Sequence, residues 1–195
     1  MDAALEVFAE KGFAATRLEE VARRAGVTKG TIYLYFENKS ALFKAVVRRT
    51  IIPNIARAER EAAAFGGSAA ELLRDMITRW WRVVGETKLS AIPKLVMSEA
   101  VNFPALARFY QKEVVARSHR LIAGVVRRGV ARGEFLPVDV MAVTRLAMAP
   151  LVLAVLNQHS VYSCVREARE TFDARSYLET HIDILLRGLS KTHRA

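Results

Sequence analysis

Apolar positions along this chain recur at three- and four-residue intervals, and no stretch alternates with a period of two, so the pattern predicts helices from end to end. The first fifty residues are densely punctuated. Leu5, Val7 and Phe8, set among alanines, predict a short helix that Gly12 ends as a C′ residue. Thr16-Arg17-Leu18-Glu19 has the form of a capping box, and Leu18, Val21 and Ala22 give the helix behind it one apolar face. Gly26 closes that helix and leaves a tight turn at Ala25-Gly26-Val27. Thr28 is placed to cap a third helix reaching about Tyr35. Asn38 is placed to cap a fourth that buries Leu42, Phe43, Val46 and Val47.

The rest of the chain continues the same period. A small-residue linker, Ala62 to Ser68, leads into a second capping box, Ser68-Ala69-Ala70-Glu71. Leu72, Leu73, Met76, Ile77, Trp80 and Val84 then face inward, and a break follows between Gly85 and Ser90. Pro93 lies near the start of the next helix. Pro104 opens a long one that ends at Gly133, about 43 Å away at 1.5 Å per residue. Pro137-Val138-Asp139 opens another, to about Ser160. The last, from about Asp173 to Leu189, carries Leu178, Ile182, Leu185 and Leu189 as a narrow seam suited to packing against another helix. The predicted fold is all-α with about nine helices.

Composition narrows the partners. The chain has 195 residues, enough for one or two domains, and an excess of ten positive charges with a pI near 10.2. That excess points to a polyanion, nucleic acid first and an acidic membrane surface second. The single Cys164 excludes an intramolecular disulfide framework and a cysteine-based zinc site, and it fits a reducing cytoplasm. The longest uncharged run, Leu146 to Val165, is continuously apolar only to Leu156, so it predicts a buried or interfacial helix rather than a membrane span. Met1-Asp2-Ala3-Ala4 lacks the basic start of a secretory signal, and the expected location is cytoplasmic.

Two short helices joined by a turn at a glycine suggest a helix-turn-helix, or else an ordinary small bundle. Charge favours the first reading. Arg23, Arg24, Lys29, Lys39, Lys44, Arg48 and Arg49 are opposed within their own stretch only by Glu37, and such a patch neutralises phosphates. In a helix-turn-helix the first turn of the second helix meets the base edges. Here that turn is Thr28-Lys29-Gly30-Thr31. Lys29 can donate to guanine, and Thr31 offers a hydroxyl and a methyl. Gly30 costs about 1 kcal/mol of helix propensity, which implies a positional reason such as close backbone approach. Tyr33 and Tyr35 can set hydroxyls on phosphates while Ile32 and Phe36 turn inward, and Lys39 stands at a helix start suited to a phosphate.

The run from Gly26 to Leu42, with Gly12-Phe13-Ala14-Ala15-Thr16 and Val21-Ala22 upstream, resembles the N-terminal domain of the TetR/AcrR family of transcriptional regulators. The resemblance implies a three-helix DNA-binding domain over residues 1–48 and a helical ligand-binding and dimerisation domain over 49–195. It implies a homodimer whose recognition helices enter successive major grooves of a near-palindromic operator, and release by a small-molecule inducer. Thr28, Lys29, Gly30, Thr31 and Tyr33 would approach bases or nearby phosphates, and Thr16, Arg17, Tyr35 and Lys39 would hold the backbone. Arg17 is larger than the small polar residue common at its position. Further along, Phe103 to Tyr110 and Gly129 to Phe135 are similar to an AefR-like subgroup.

The family pattern also implies that the last two long helices form a four-helix bundle with their copies, through Leu153, Leu156, Leu178, Ile182, Leu185 and Leu189. Leu146 to Leu156 is apolar on every face and so needs partners on more than one side, and Pro150 within it should kink or break the helix. A pocket between the middle helices is expected, with Trp81, Met97, Phe109, Tyr110, His119 and Met148 as candidates for its wall or for ordinary core. Arg117 and Arg120 would favour an acidic ligand or simply be solvated, and Arg127, Arg128 and Arg132 read as a solvated face. The four histidines (119, 159, 181, 193) form no HExxH, and there is no GxSxG or P-loop. No catalytic residue, metal site or cofactor is expected, only a small-molecule effector of unknown identity. The competing reading is a helical adaptor that lays its basic face on anionic lipid.

Overall fold

In the computed structural model, residues 1–159 and 172–191 are described. Among them the chain is helical throughout, with no strand beyond one antiparallel bridge between Phe135 and Ser190. Cys164, His193 and the end of the long uncharged run lie outside the described residues.

Helix α1 (Asp2–Ala15) is interrupted at Gly12, which adopts φ 74°. The Thr16 hydroxyl donates to the Gly12 carbonyl at 2.6 Å and is buried. It is therefore not the cap of α2 (Leu18–Arg24), whose N-cap is Arg17 with no side-chain cap bond. The expected Thr16–Glu19 capping box does not form, because the kink at Gly12 frees a carbonyl that takes the hydroxyl instead. At the other end of α2, Gly26 sits at φ 69°. The Val27 N–H bonds the Ala22 carbonyl (3.0 Å) and the Gly26 N–H the Arg23 carbonyl (3.3 Å), a Schellman ending. Thr28 caps α3 (Lys29–Tyr35) by accepting the Thr31 N–H, and Asn38 caps α4 (Lys39–Thr50) by accepting the Ala41 N–H.

Helix α5 (Ile52–Ala64) follows at once, with Pro53 in its first turn. It absorbs Ala62 to Ala64, so the linker shrinks to Phe65–Ser68. Helix α6 (Ala69–Trp80) opens on the Ser68–Glu71 capping box and widens into a π turn, Trp81–Gly85. A 3₁₀ turn (Lys88–Ser90) leads to α7 (Ala91–Glu99). Pro104 then opens one long rod: α8 (Pro104–Tyr110), a π turn (Gln111–Val115) and α9 (Ala116–Ala131). Helix α10 (Val140–His159) runs unbroken through Pro150. The carbonyl that proline leaves unbonded belongs to Leu146, on a side where Leu146 itself is 60% exposed. Asp173 caps α11 (Ala174–Leu189).

Two apolar cores result. The first gathers Val7, Phe8, Phe13, Phe43 and Val46 from α1 and α4 with Ile92, Leu95, Leu106 and Phe109 from α7 and α8. The Phe13 and Phe103 rings meet at 4.7 Å across this join. The second gathers Leu72, Leu73 and Ile77 of α6, Val125 and Val126 of α9, Ala147 and Leu151 of α10, and Leu178, Ile182 and Leu189 of α11. Helix α10 is long and apolar enough to cross a membrane, but Ala147, Leu151, Ala154 and Val155 are buried in this second core.

Candidate nucleic-acid interface and ligand cavity

Helix α3 rests on the first core through Ile32 and half-buried Phe36, and the remainder of its surface faces outward. Thr28, Lys29, Gly30, Tyr33, Leu34 and Tyr35 are all exposed, Leu34 at 83%. The Thr28 and Thr31 hydroxyls lie 2.9 Å apart, so the cap also steers Thr31. Glu19 of α2 crosses to this helix: the Tyr33 hydroxyl donates to its Oε1 at 3.1 Å, and Lys29 Nζ lies 3.0 Å from the same oxygen. The Glu19 carboxyl is held below its ordinary range by its own backbone N–H, then by Lys29 and Tyr33. Lys29 is raised by Glu19 in return. The exposed face thus carries a cation and a phenol already gathered by one carboxylate oxygen.

The basic patch counted along the sequence is partly compensated in space. Arg24 forks onto Glu10 (2.5 and 2.7 Å), Lys29 pairs with Glu19, and Arg48 holds Glu113. These carboxylates come from other elements, which a count within the stretch does not see. Lys39 turns inward. Its ammonium donates to the Ala14 carbonyl at 2.5 Å and lies over the rings of Phe13 (5.1 Å) and Phe103 (5.7 Å). Arg17 is exposed, and its side chain bonds none of the described residues. Thr16 is buried against α1.

Behind this unit, α5, α6, the α8–α9 rod and α10 enclose a cavity of about 100 Å³, or about 960 Å³ of empty space with its open mouth included. Ile51, Ile55, Leu72, Ile77, Leu121, Met148 and Leu151 make it mainly apolar. Trp80 of α6, Val83 and Val84 of the π turn that follows it, and Tyr110, Val114, Ser118 and Ile122 of the rod complete most of its wall. Arg79 bonds both Glu61 and Asp75 at the rim, and Arg57 lies 3.9 Å from Glu61. Burial pushes the Tyr110 phenol well above its ordinary value. Arg48's partner Glu113 lies three residues after Tyr110, one before Val114 and five before Ser118, so the same rod is both cavity wall and anchor for α4.

Residues 1–46 match the family described as bacterial regulatory proteins, tetR family, and residues 66–163 match the tetracyclin repressor-like C-terminal domain. The chain belongs to the TetR family of transcriptional regulators. These proteins are regulators rather than enzymes, with a helix-turn-helix DNA-binding domain and small-molecule effectors. This regulator is 26% identical to the HTH-type transcriptional regulator AcrR of Shigella flexneri over 193 residues, 95% of this chain and 85% of that one. It is 27% identical over 135 residues to the fatty acid metabolism regulator protein of Bacillus subtilis, 69% and 68% of the two chains. Its fold is that of FadR from Bacillus subtilis, solved in complex with stearoyl-CoA, at TM-score 0.78 and 23% identity over 96% of each chain. It is also that of KstR2 of Mycobacterium tuberculosis, at TM-score 0.71 and 21% identity over 97% of this chain and 92% of that one.

Of the six pocket candidates in this TetR-family chain, the cavity wall takes Tyr110 and Met148. Trp81 is displaced by its neighbour Trp80, because its own ring lies against Gly85 and the second core. Phe109 belongs to the first core, under Lys44 (5.8 Å) and Arg48 (5.2 Å). Met97 is 52% exposed on α7, and His119 stands outside the wall. Arg117 is neither solvated nor free for a ligand, since it forks onto Glu59 at 2.5 and 2.6 Å. Arg128 leaves the expected solvated face to donate to the Ala62 and Phe65 carbonyls at the end of α5.

The expected dimer residues also divide. Leu178, Ile182 and Leu189 are each 3% exposed and fill the protomer's own core, so that seam is spent within the chain. Leu156 and Leu185 are half-buried, and Leu153 is 48% exposed. The apolar residues that face outward are Met141, Leu146 and Leu153 of α10 and Ile184 of α11.

Proposed function

We propose that this regulator is a repressor that binds a near-palindromic operator as a homodimer and is released when an apolar small molecule fills the cavity. In this reading residues 1–48 bind DNA and 49–195 sense and dimerise, and the protein works in the cytoplasm. The observation that carries it is the shared π turn: Tyr110 and Val114 line the cavity, and Glu113 between them holds Arg48 of α4. A change in the cavity wall therefore reaches the helix that follows the recognition helix.

At the DNA, Thr28, Lys29, Gly30, Thr31 and Tyr33 present the base-reading turn, and phosphate oxygens replace Glu19 as the partner of Lys29 and Tyr33. Arg17 and Tyr35 hold the backbone, with Leu34 between the two tyrosines as an apolar contact. Met141, Leu146, Leu153 and Ile184 form the face that meets the second copy, an exposed apolar stripe of the kind that marks interfaces. An apolar effector suits the cavity, and two proteins of similar fold are solved with stearoyl-CoA or described as a ketosteroid regulator. The effector must bind the released conformation better than the DNA-bound one by the free energy it removes from operator binding.

The test is fluorescence anisotropy on the intergenic DNA beside the protein's own gene, at two salt concentrations, with scrambled competitor. Competitor-resistant binding that a cavity ligand abolishes is the expected result. Equal, salt-labile binding to both DNAs, or a ligand that binds without changing operator affinity, overturns the reading.

A further inference from the structure

The cavity's polar groups are of two kinds. Those with charge sit at the rim and satisfy one another: Arg79 bridges Glu61 and Asp75, and Arg57 pairs with Glu61. Two cations against two anions leave no net charge for a ligand to meet. Of those without charge, Asn54 is already spent, its amide donating to the Thr50 carbonyl at 2.6 Å. Tyr110 and Ser118 also line the cavity, and their hydroxyls make no hydrogen bond among the described residues.

The π turn places these two hydroxyls on one stripe. In an α-helix, positions four apart drift by about 40° per step. Residues 110, 114, 118 and 122 would then spread over about 120° and leave the wall. The i→i+5 bonding of the turn at Gln111–Val115 takes more residues per revolution and cancels much of that drift. Tyr110, Val114, Ser118 and Ile122 consequently all line the cavity. The local irregularity thus keeps both hydroxyl-bearing residues in the wall, where a regular helix would rotate one of them away.

We propose that the effector is an uncharged, largely apolar molecule bearing a hydrogen-bonding oxygen, such as a ketone, ester or thioester carbonyl, and that Tyr110 is the residue that selects it. This rests on the reading of the cavity as the effector site. The Tyr110 hydroxyl donates to the carbonyl, with Ser118 as the second donor. A hydrocarbon that fills the cavity strips these hydroxyls of water and leaves them unpaired, whereas a ligand oxygen accepts from them and avoids that penalty. A carboxylate would enter without an unpaired cation to receive it, so an ionised fatty acid is rejected.

The experiment uses the full chain and three probes of matched chain length: a medium-chain alkane, the corresponding methyl ketone and the corresponding fatty carboxylate at pH above its pKa. Binding is read from the fluorescence of Trp80, which lines the cavity, and by calorimetry. The ketone should bind about tenfold tighter than the alkane, and the carboxylate weakest. Tyr110→Phe should erase the ketone's advantage and leave the alkane unchanged, which also shows that the cavity is intact. Ser118→Ala should reduce the advantage in part. An unchanged ketone-to-alkane ratio in Tyr110→Phe, or tightest binding by the carboxylate, overturns the proposal. If none of the three probes binds the wild-type protein, the cavity reading itself fails, and this proposal with it.

Discussion

Arg48 holds Glu113 side-on, with Nε 3.0 Å from Oε2 and Nη2 2.5 Å from Oε1, and so ties α4 to the π turn of the long rod. The guanidinium also lies 5.2 Å from the Phe109 ring centroid, a second contact between α4 and the long rod. The Arg48 guanidinium holds the Glu113 carboxyl below its ordinary range, so the clamp persists through neutral pH and fails only in acid.

Replacing Glu113 by Gln should therefore cut communication without emptying either site. Effector affinity and ligand-free operator affinity should stay near wild type. The effector-induced loss of operator affinity should shrink by about fivefold or more, the lower end of ordinary coupling energies. Anisotropy with and without effector measures this. Full retention of the response would place the coupling elsewhere.

Gly30 should show a conflict between stability and binding. A Cβ added there meets only the Thr28 Oγ1, at 3.7 Å, so nothing in the fold requires glycine. Gly30→Ala should raise stability by up to about 1 kcal/mol through helix propensity. It should weaken operator binding, because the added methyl stands between α3 and the DNA. A higher Tm together with unchanged operator affinity would show that the backbone does not approach DNA at this point.

Lys29 and Lys39, alike in sequence, should differ in role. Lys29 is exposed and held by Glu19, and Lys29→Ala should relax base preference. Lys39 stands over Phe13 and Phe103 and bonds the Ala14 carbonyl. Lys39→Ala should cost about 1 kcal/mol of stability and leave the salt slope of DNA binding almost unchanged. A slope shallower by about one would return Lys39 to the phosphates.

That pair marks where the sequence was legible. Signals carried by neighbours along the chain could be read: the Thr28, Asn38 and Ser68 caps, the Gly26 turn, the inward Ile32, and the prolines that open helices. Signals set by distant elements could not. Glu19 and Glu113 neutralise cations that look free, and Thr16 prefers the Gly12 carbonyl to its own helix. Phase errors had the same origin. The widened turns at Trp81–Gly85 and Gln111–Val115 change which residue faces the cavity, and a uniform helical period cannot show that. The seam on α11 was correctly apolar, but periodicity does not say whether the partner helix belongs to the same chain.

Stability should fall with pH well above the carboxylate range. Burial lowers the pKa of His119, His159 and His181, aided at His119 by Arg145 and at His159 by Lys94. A histidine whose folded pKa lies below its unfolded value of 6.5 takes its proton more readily when unfolded. Stability is then full above the unfolded pKa and declines as pH drops through it toward the folded value. Thermal melts between about pH 8 and 5.5 should show a falling Tm, with a shallower fall in His119→Gln. A flat profile would mean that these rings are solvated.

Gly129 and Phe135 should behave as one unit. Gly129 is buried on α9, and a Cβ there would lie 2.2 Å from Phe135 Cδ2, inside any possible contact. Phe135 is 2% exposed, and its neighbour Leu136 donates its N–H to the Leu189 carbonyl at 2.8 Å, so the ring cannot withdraw without disturbing the end of α11. Gly129→Ala should cost about 1–3 kcal/mol by overpacking, and Phe135→Ala about 3–5 kcal/mol by emptying the site. In the double variant the added methyl has space to occupy, so its separate cost should vanish or reverse. Denaturant melts of the four proteins close the cycle. Simple additivity would show that the helix, rather than the ring, dictates glycine at this position.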